Sequence, residues 1–192
     1  MEELKDLEQW KTLGQKSLFK YHNRVEIEEH QVKMSPTQEL DWVWVKTPSF
    51  INVAIVTKDG KWLLFHQTKY ACTQAFATAT LACVGGYIEE GEDPRSAALR
   101  EMQEETGFSS NNLVHLGSAV PDANRGCGIG HMFLAIDAFP VQQTESDDLE
   151  EQLLLSWTTE QVECALLKGQ FKCHSWYATM AGALLYHKQY TS

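Results

Sequence analysis

The sequence predicts an α/β fold: a mixed β-sheet held between helices, preceded by an antiparallel β-hairpin. Three observations predict it. Phe50-Ile51-Asn52-Val53-Ala54-Ile55-Val56 is apolar enough for a central strand. Strand-like and helix-like runs then interleave along the chain instead of falling into separate blocks. Upstream, Arg24 to Val32 alternates polar and apolar residues, Ser35-Pro36-Thr37 makes a turn, and Leu40 to Lys46 returns as a second strand.

Taken from the N-terminus, Glu2 to about Thr12 reads as a short helix or loose chain, and Ser17 to Tyr21 as a strand. Thr47-Pro48-Ser49 separates the hairpin from the rest of the chain, so residues 1–48 are expected to form an N-terminal β extension and 49–192 the main domain. After the Phe50–Val56 strand, Lys58-Asp59-Gly60-Lys61 carries a D-G turn signal and Trp62 to Gln67 is its hairpin partner. Tyr70 to Thr80 is rich in Ala and Thr and shows no clear period. Leu81 to Val84 is a short strand feeding a glycine loop. Asp93 and Pro94 supply an N-cap and first-turn proline for a helix over Ser96 to Thr106, which Gly107 ends. Leu113 to Ala119 and His131 to Phe139 are strands around a long loop, Pro121 to Gly130. Gln142 to Glu151 is a polar, acidic loop, and Leu153 to Trp157 is the last strand. Thr158 or Thr159 caps a helix to about Lys168, stopped by Gly169. His174 to Tyr190 is a second helix, with Tyr177, Met180, Ala181, Leu184 and Leu185 at core spacing.

Composition excludes several classes. The 192 residues suit one domain with extra elements. A formal net charge of −10 argues against nucleic acid and acidic membrane surfaces, which need basic patches. No stretch approaches the ~20 apolar residues of a membrane span, and the acidic start lacks the pattern of a signal peptide. The 5 cysteines are scattered without a CxxC pair, so neither zinc site nor disulfide framework is indicated and a cytoplasmic location is the expectation.

The chemistry concentrates between Gly86 and Phe108. On the expected helix Glu101, Glu104 and Glu105 stand at i+3 and i+4 and share one face. Three crowded carboxylates repel; a hard divalent cation removes that cost and leaves room for water and a substrate phosphate. Arg100 stands four residues before Glu104 and within reach of Glu92, which would tie loop to helix. Gly86, Glu92, Arg100, Glu101, Met102, Glu104, Glu105, Gly107 and Phe108 fill every fixed place of a pattern that resembles the signature of the Nudix hydrolases, G-x5-E-x7-R-E-U-x-E-E-x-G-U with U bulky and apolar.

That resemblance implies an α/β/α sandwich and divalent-metal-dependent hydrolysis of a phosphoanhydride. It implies Mg2+ or Mn2+ held by Glu101, Glu104, Glu105 and the Gly86 carbonyl, with Glu105 the main bridging ligand and Glu92 and Arg100 positioning residues. Features outside the signature are similar to the branch that cleaves ADP-ribose and related nucleoside-diphosphate sugars to AMP and a sugar phosphate. The N-terminal hairpin precedes the core, as in homodimeric members of that branch. Lys69 stands where an arginine is usual, keeping the charge and losing the planar fork. Pro121 lies near a proline position of that branch, and Trp42, ahead of Trp44, is placed to stack an adenine. The catalytic base in such enzymes sits on a loop before the last strand, where Glu145, Glu150 and Glu151 are candidates and Glu150 or Glu151 is favoured. Against these expectations, Val84-Gly85 replaces the usual Pro-Ala before the signature glycine, and Arg125 to Gly130 replaces a substrate-contacting Ser-Asp-Glu-type loop. A (deoxy)nucleoside triphosphate, dinucleotide or coenzyme A derivative as substrate, or a non-catalytic nucleotide-binding module, are the alternatives.

Overall fold

The computed structural model describes residues 7–141 and 152–190. The expected polar loop from Gln142, with Glu145, Glu150 and Glu151, lies outside the described residues. Two compact units emerge: Met1–Pro48 with Asp122–Gly128, and Ser49–Pro121 with Ile129–Ser192.

The first unit is a three-stranded antiparallel sheet of β1 (Lys11–Tyr21), β2 (Val25–Ser35) and β3 (Gln38–Lys46), in that order. The expected hairpin is β2–β3. The strand expected at Ser17–Tyr21 starts at Lys11, so Lys11 and Thr12 are not helical as the sequence allowed. Pairing explains it: β1 runs along β2 from Lys11↔Lys33 to Tyr21↔Val25, and those cross-strand bonds override weak local helix preference. Residues 122–128 belong with this sheet, because Trp42 Nε1 donates to Asn124 O at 2.7 Å and Cys127 N to Val45 O at 2.6 Å.

The second unit is built on β4 (Phe50–Thr57). Its antiparallel neighbours are β5 (Trp62–Gln67) at one end and β7 (Val84–Tyr87) at the other, and on its far side lies the parallel strand β10 (Gly130–Pro140). The short β6 (Thr80–Ala82) and the last strand β11 (Gln152–Trp157) pair with β5, while β8 (Phe108–Ser109) and β9 (Asn112–Ala119) pair with β10. One parallel pair among antiparallel ones makes the sheet mixed, as expected. The stretch with no clear period contains a short helix, α1 (Tyr70–Phe76), stopped by Ala77 at φ 52°.

Alternation along β4 sorts the core into two layers. Ile51, Val53 and Ile55 pack against Ala97, Ala98 and Met102 of α2 (Pro94–Thr106). Ala54 and Val56 face Val162 and Ala165 of α3 (Thr159–Leu167) and Met180 and Ala183 of α4 (His174–Tyr190). Helices on both faces of a mixed sheet give the α/β/α sandwich. Thr158 caps α3 with a reciprocal box, Gln161 N donating to its hydroxyl at 3.4 Å and Thr158 N to Gln161 Oε1 at 2.8 Å. On α4 the buried residues are Thr179, Met180, Ala183 and Leu184. Tyr177 and Leu185, expected in the core, are 41% and 71% exposed. Met180 and Leu184 are buried as expected, with Thr179 and Ala183 completing the contact stripe, while Tyr177 and Leu185 fall on the flank turned to solvent. Among the described residues no helix is long and apolar enough to cross a membrane, and all five cysteines are free.

Candidate functional site

The site begins with the turn that leads from β7 into α2. Asp93 Oδ1 accepts from Arg95 N at 3.0 Å and Ser96 N at 3.2 Å, so the first free N–H groups of α2 are satisfied by the N-cap the sequence indicated. Gly107, at φ 70°, ends the helix with its N–H donated to Gln103 O. The fixed ends place Arg100, Glu101 and Glu105 on the helix surface nearest β7.

Arg100 ties loop to helix. Its Nε and Nη2 donate to the two oxygens of Glu92 at 3.0 Å each, its Nη1 to Glu101 Oε1 at 2.8 Å and Glu104 Oε2 at 3.1 Å, and its Nη2 also to Tyr87 O at 3.2 Å. The two-pronged bond to Glu92 uses the guanidinium's planar fork. Those hydrogen bonds hold the Glu92 carboxyl below its usual range and push the Arg100 guanidinium above its own. One cation thereby serves three carboxylates and eases the crowding that the sequence implied.

Two adjacent glycines keep β7 thin. Gly86 pairs with Ile51, and a Cβ there would lie 2.0 Å from Glu101 Oε1 and 2.6 Å from Oε2, so the Glu101 carboxylate occupies the space a side chain would take. Gly85 pairs with Asn52, and a Cβ there would lie 2.4 Å from Asn52 Nδ2. Around this thin strand opens a cavity of about 550 Å³, whose lining includes Lys69, Gly86, Arg100, Glu101, Glu105 and Trp176. The first turn of α4, Ser175 and Trp176, borders it, and a helix N-terminus adds a positive field.

The structure therefore gathers five of the residues singled out from sequence, namely Gly86, Arg100, Glu101, Glu105 and Lys69, at one cavity. Glu104 is not in its lining; its Oε2 is turned onto Arg100. Pro121 lines a second, smaller cavity in the same unit. Trp42 lies in the other unit, half-buried, with its indole N–H spent on Asn124 O and its ring edge-on to Trp10 at 5.7 Å between centroids. Trp44, its neighbour on β3, stacks on the His30 ring at 5.4 Å.

Sequence reasoning missed Asn52, Ser175 and Trp176. Asn52 had a signal: one amide in the otherwise apolar run of β4. Trp176 had none, since an aromatic on an apolar helix reads as core.

The donors suit a hard divalent cation. Glu101 and Glu105 offer carboxylate oxygens to the cavity, and the missing Cβ of Gly86 leaves room for that of Glu101. Among the described residues no three acidic, imidazole or thiol side chains are already gathered for a metal, because Arg100 takes Glu101 Oε1 and Glu104 Oε2.

A NUDIX domain model matches residues 45–167. The chain is 28% identical over 107 residues to the ADP-ribose pyrophosphatase of Bacillus subtilis (strain 168), covering 56% of each. It is 29% identical over 91 residues to a methanol dehydrogenase activator of Bacillus methanolicus, covering 47% of each. The matches thus span about half the length of these relatives. A crystal structure of an ADP compounds hydrolase shares the fold, with a TM-score of 0.76 at 20% identity over 97% of this chain and 98% of that one.

Proposed function

The chain belongs to the NUDIX domain family, and from that premise we propose that it hydrolyses a nucleoside diphosphate linked to another group, with ADP-ribose or an ADP-sugar as the substrate and AMP plus a sugar phosphate as products. The observation that carries this reading is the meeting of Glu101, Glu105, Arg100 and Lys69 at one cavity beside Gly86. Acidic groups that hold a cation and basic groups that meet phosphate oxygens are the two halves of a diphosphate site. The similarity to an ADP-ribose pyrophosphatase supports the choice of substrate.

Glu101, Glu105 and the Gly86 carbonyl would hold Mg2+ or Mn2+, with Glu104 beside them on the same turn. When bound, the cation neutralises the diphosphate and lowers the pKa of a water molecule. Lys69 meets the phosphate chain as a point charge. Arg100 fixes the Glu101 carboxylate and locks the loop through Glu92, so that the acidic face is set before substrate arrives. Glu150 or Glu151 takes the proton from the attacking water. Pro121 borders the group on the other side of the diphosphate. β1, exposed along all 11 residues with Leu18, Phe19 and Tyr21 half-open to solvent, gives a homodimer an edge on which to form.

The test is a panel of ADP-ribose, ADP-glucose, NADH, diadenosine polyphosphates and nucleoside triphosphates with Mg2+, read as AMP release. ADP-ribose leads, EDTA abolishes turnover, and Glu105→Gln lowers kcat by at least about 10²-fold with an unchanged melting temperature. Full activity in that variant removes the assigned role of Glu105. No hydrolysis of any diphosphate by the native chain removes the reading.

A further inference from the structure

Asn52 is 2% exposed, yet its Oδ1 has no hydrogen-bond partner among the described residues. Buried side-chain amides are normally satisfied, and an orphaned acceptor is a standing cost to the fold. The chain nevertheless makes room for it: Gly85, opposite Asn52 in the β4–β7 pairing, lacks the Cβ that would press on the amide nitrogen at 2.4 Å. An apolar side chain would fill the same place at no such cost.

Its position gives the reason. Asn52, Phe50 and Ser175 border both the cavity of Glu101 and Glu105 and the smaller one of about 120 Å³. The walls of the smaller cavity are mostly apolar, with Val120, Pro121 and Met132 among them. A cavity of roughly 150 Å³ takes one benzene-sized molecule, so this one admits a single ring and not a nucleoside. A ring placed there has C–H faces against apolar walls, with His174, Ser175 and, at the side shared with the carboxylate cavity, Asn52 as its polar neighbours; of these Asn52 carries the buried, unpartnered acceptor. That is the arrangement for a hydroxyl-bearing ring joined to a phosphate.

We infer that Asn52 is a specificity-determining residue: its Oδ1 accepts a hydrogen bond from a hydroxyl of the sugar carried by the distal phosphate, seated in the cavity of Phe50, Pro121 and Ser175. This rests on the diphosphate-hydrolase reading. A site built to bond a hydroxyl discriminates strongly against a ligand without it, because the buried group is then left unpaired.

Asn52→Leu keeps the side chain's branched shape and removes the acceptor; Asn52→Thr keeps an oxygen acceptor. Two measurements test the inference. In the first, kcat/KM is compared for ADP-ribose and for the β-methyl ester of ADP, which has the diphosphate and no sugar on the distal phosphate. The ratio falls about 10–100-fold in Asn52→Leu, and by less in Asn52→Thr. A ratio unchanged within about twofold, or one equally reduced by both variants, overturns the inference while the hydrolase reading stands. In the second, which needs no turnover, ribose 5-phosphate raises the melting temperature of the native protein and not that of Asn52→Leu. Asn52→Leu alone melts at or above the native temperature, since an orphaned amide has gone. If native protein and variant respond alike to ribose 5-phosphate, the inference fails. If they differ as stated while the native protein hydrolyses no diphosphate, the sugar contact stands and the hydrolase reading falls.

Discussion

Gly86→Ala separates the geometry of the acidic site from the stability of the fold. A Cβ at position 86 would stand 2.0 Å from Glu101 Oε1, 2.1 Å from Cδ and 2.6 Å from Oε2. Ordinary C···O approach begins near ~3.3 Å, so the carboxylate must retreat by roughly 1.3 Å. The backbone at 86 is extended strand paired with Ile51, a conformation any residue adopts. The obstacle is the far end of a flexible side chain, and a forced rotamer costs about 0.5–1.5 kcal/mol. In a domain of this size that lowers the melting temperature by roughly 1–6 °C. Activity is hit harder. The retreat withdraws Glu101 Oε1 from Arg100 Nη1, now 2.8 Å away, and displaces a site oxygen by more than an ångström. Misplacement of about 1 Å costs on the order of 10²-fold, or roughly 2.7 kcal/mol in the barrier. Gly60→Ala is the control. It has open space but φ 75°, in a turn remote from the cavity, so it loses about 1 kcal/mol of stability and no activity. Steady-state AMP release and thermal melts read both variants. A Gly86→Ala protein with native kcat/KM would refute the placement of Glu101, and one that fails to fold would mean the clash is with backbone.

Three other outcomes are expected. Arg100→Lys loses the two-pronged bond to Glu92, lowering kcat/KM by about 10–100-fold and denaturant stability by about 1–2 kcal/mol; equal values for the two proteins would make the fork irrelevant. Met102→Ala opens a hole where α2 meets Ile51 and Val53 and costs about 3 kcal/mol, on the order of 10 °C in the melt. Glu92 is held below its ordinary pKa of 4.5 by Arg100, so its stabilisation is complete above that value and is lost as the carboxylate protonates on acidification. The melting temperature therefore falls as the pH drops below about 4.5, and Arg100→Ala flattens that fall.

How much of this was legible from sequence depends on whether the determinant is local. The α2 caps at Asp93 and Gly107 are set by residues within one turn, and the link from Arg100 to Glu92 comes from helix periodicity plus a short loop. The sandwich could be read from the order of the elements. The eleven-residue length of β1 could not, because it is fixed by its register on β2, and no local pattern in Lys11–Gln15 announces it. On α4, apolar spacing chose Met180 and Leu184 correctly, but it also chose Tyr177 and Leu185, which face outward, and it passed over Thr179 and Ala183, which the sheet covers. Asn52 stood out as the one amide in an apolar run, but its place beside a cavity did not, because a central strand is buried on both sides and nothing in a linear pattern says which buried position borders a cavity. Glu104 was read onto the helix face of Glu101 and Glu105, but it stands about 60° from Glu101 and about 100° from Glu105 around the axis, and its Oε2 goes to Arg100 rather than into the cavity.

The parallel pairing of β4 with β10 has a consequence for synthesis. Phe50 lies beside Gly130, so the strand that seats the glycines waits for a neighbour 80 residues further along. Every acidic residue of α2 is synthesised before that neighbour, and the first turn of α4, with Ser175 and Trp176, comes later still. A nascent chain can therefore lay the apolar stripe of Ala97, Ala98 and Met102 on Ile51 and Val53 of β4 while the far edge of β4 is still unpaired. Closing so long a loop is slow, so the unpaired edge of β4 is the feature this chain leaves open during that interval.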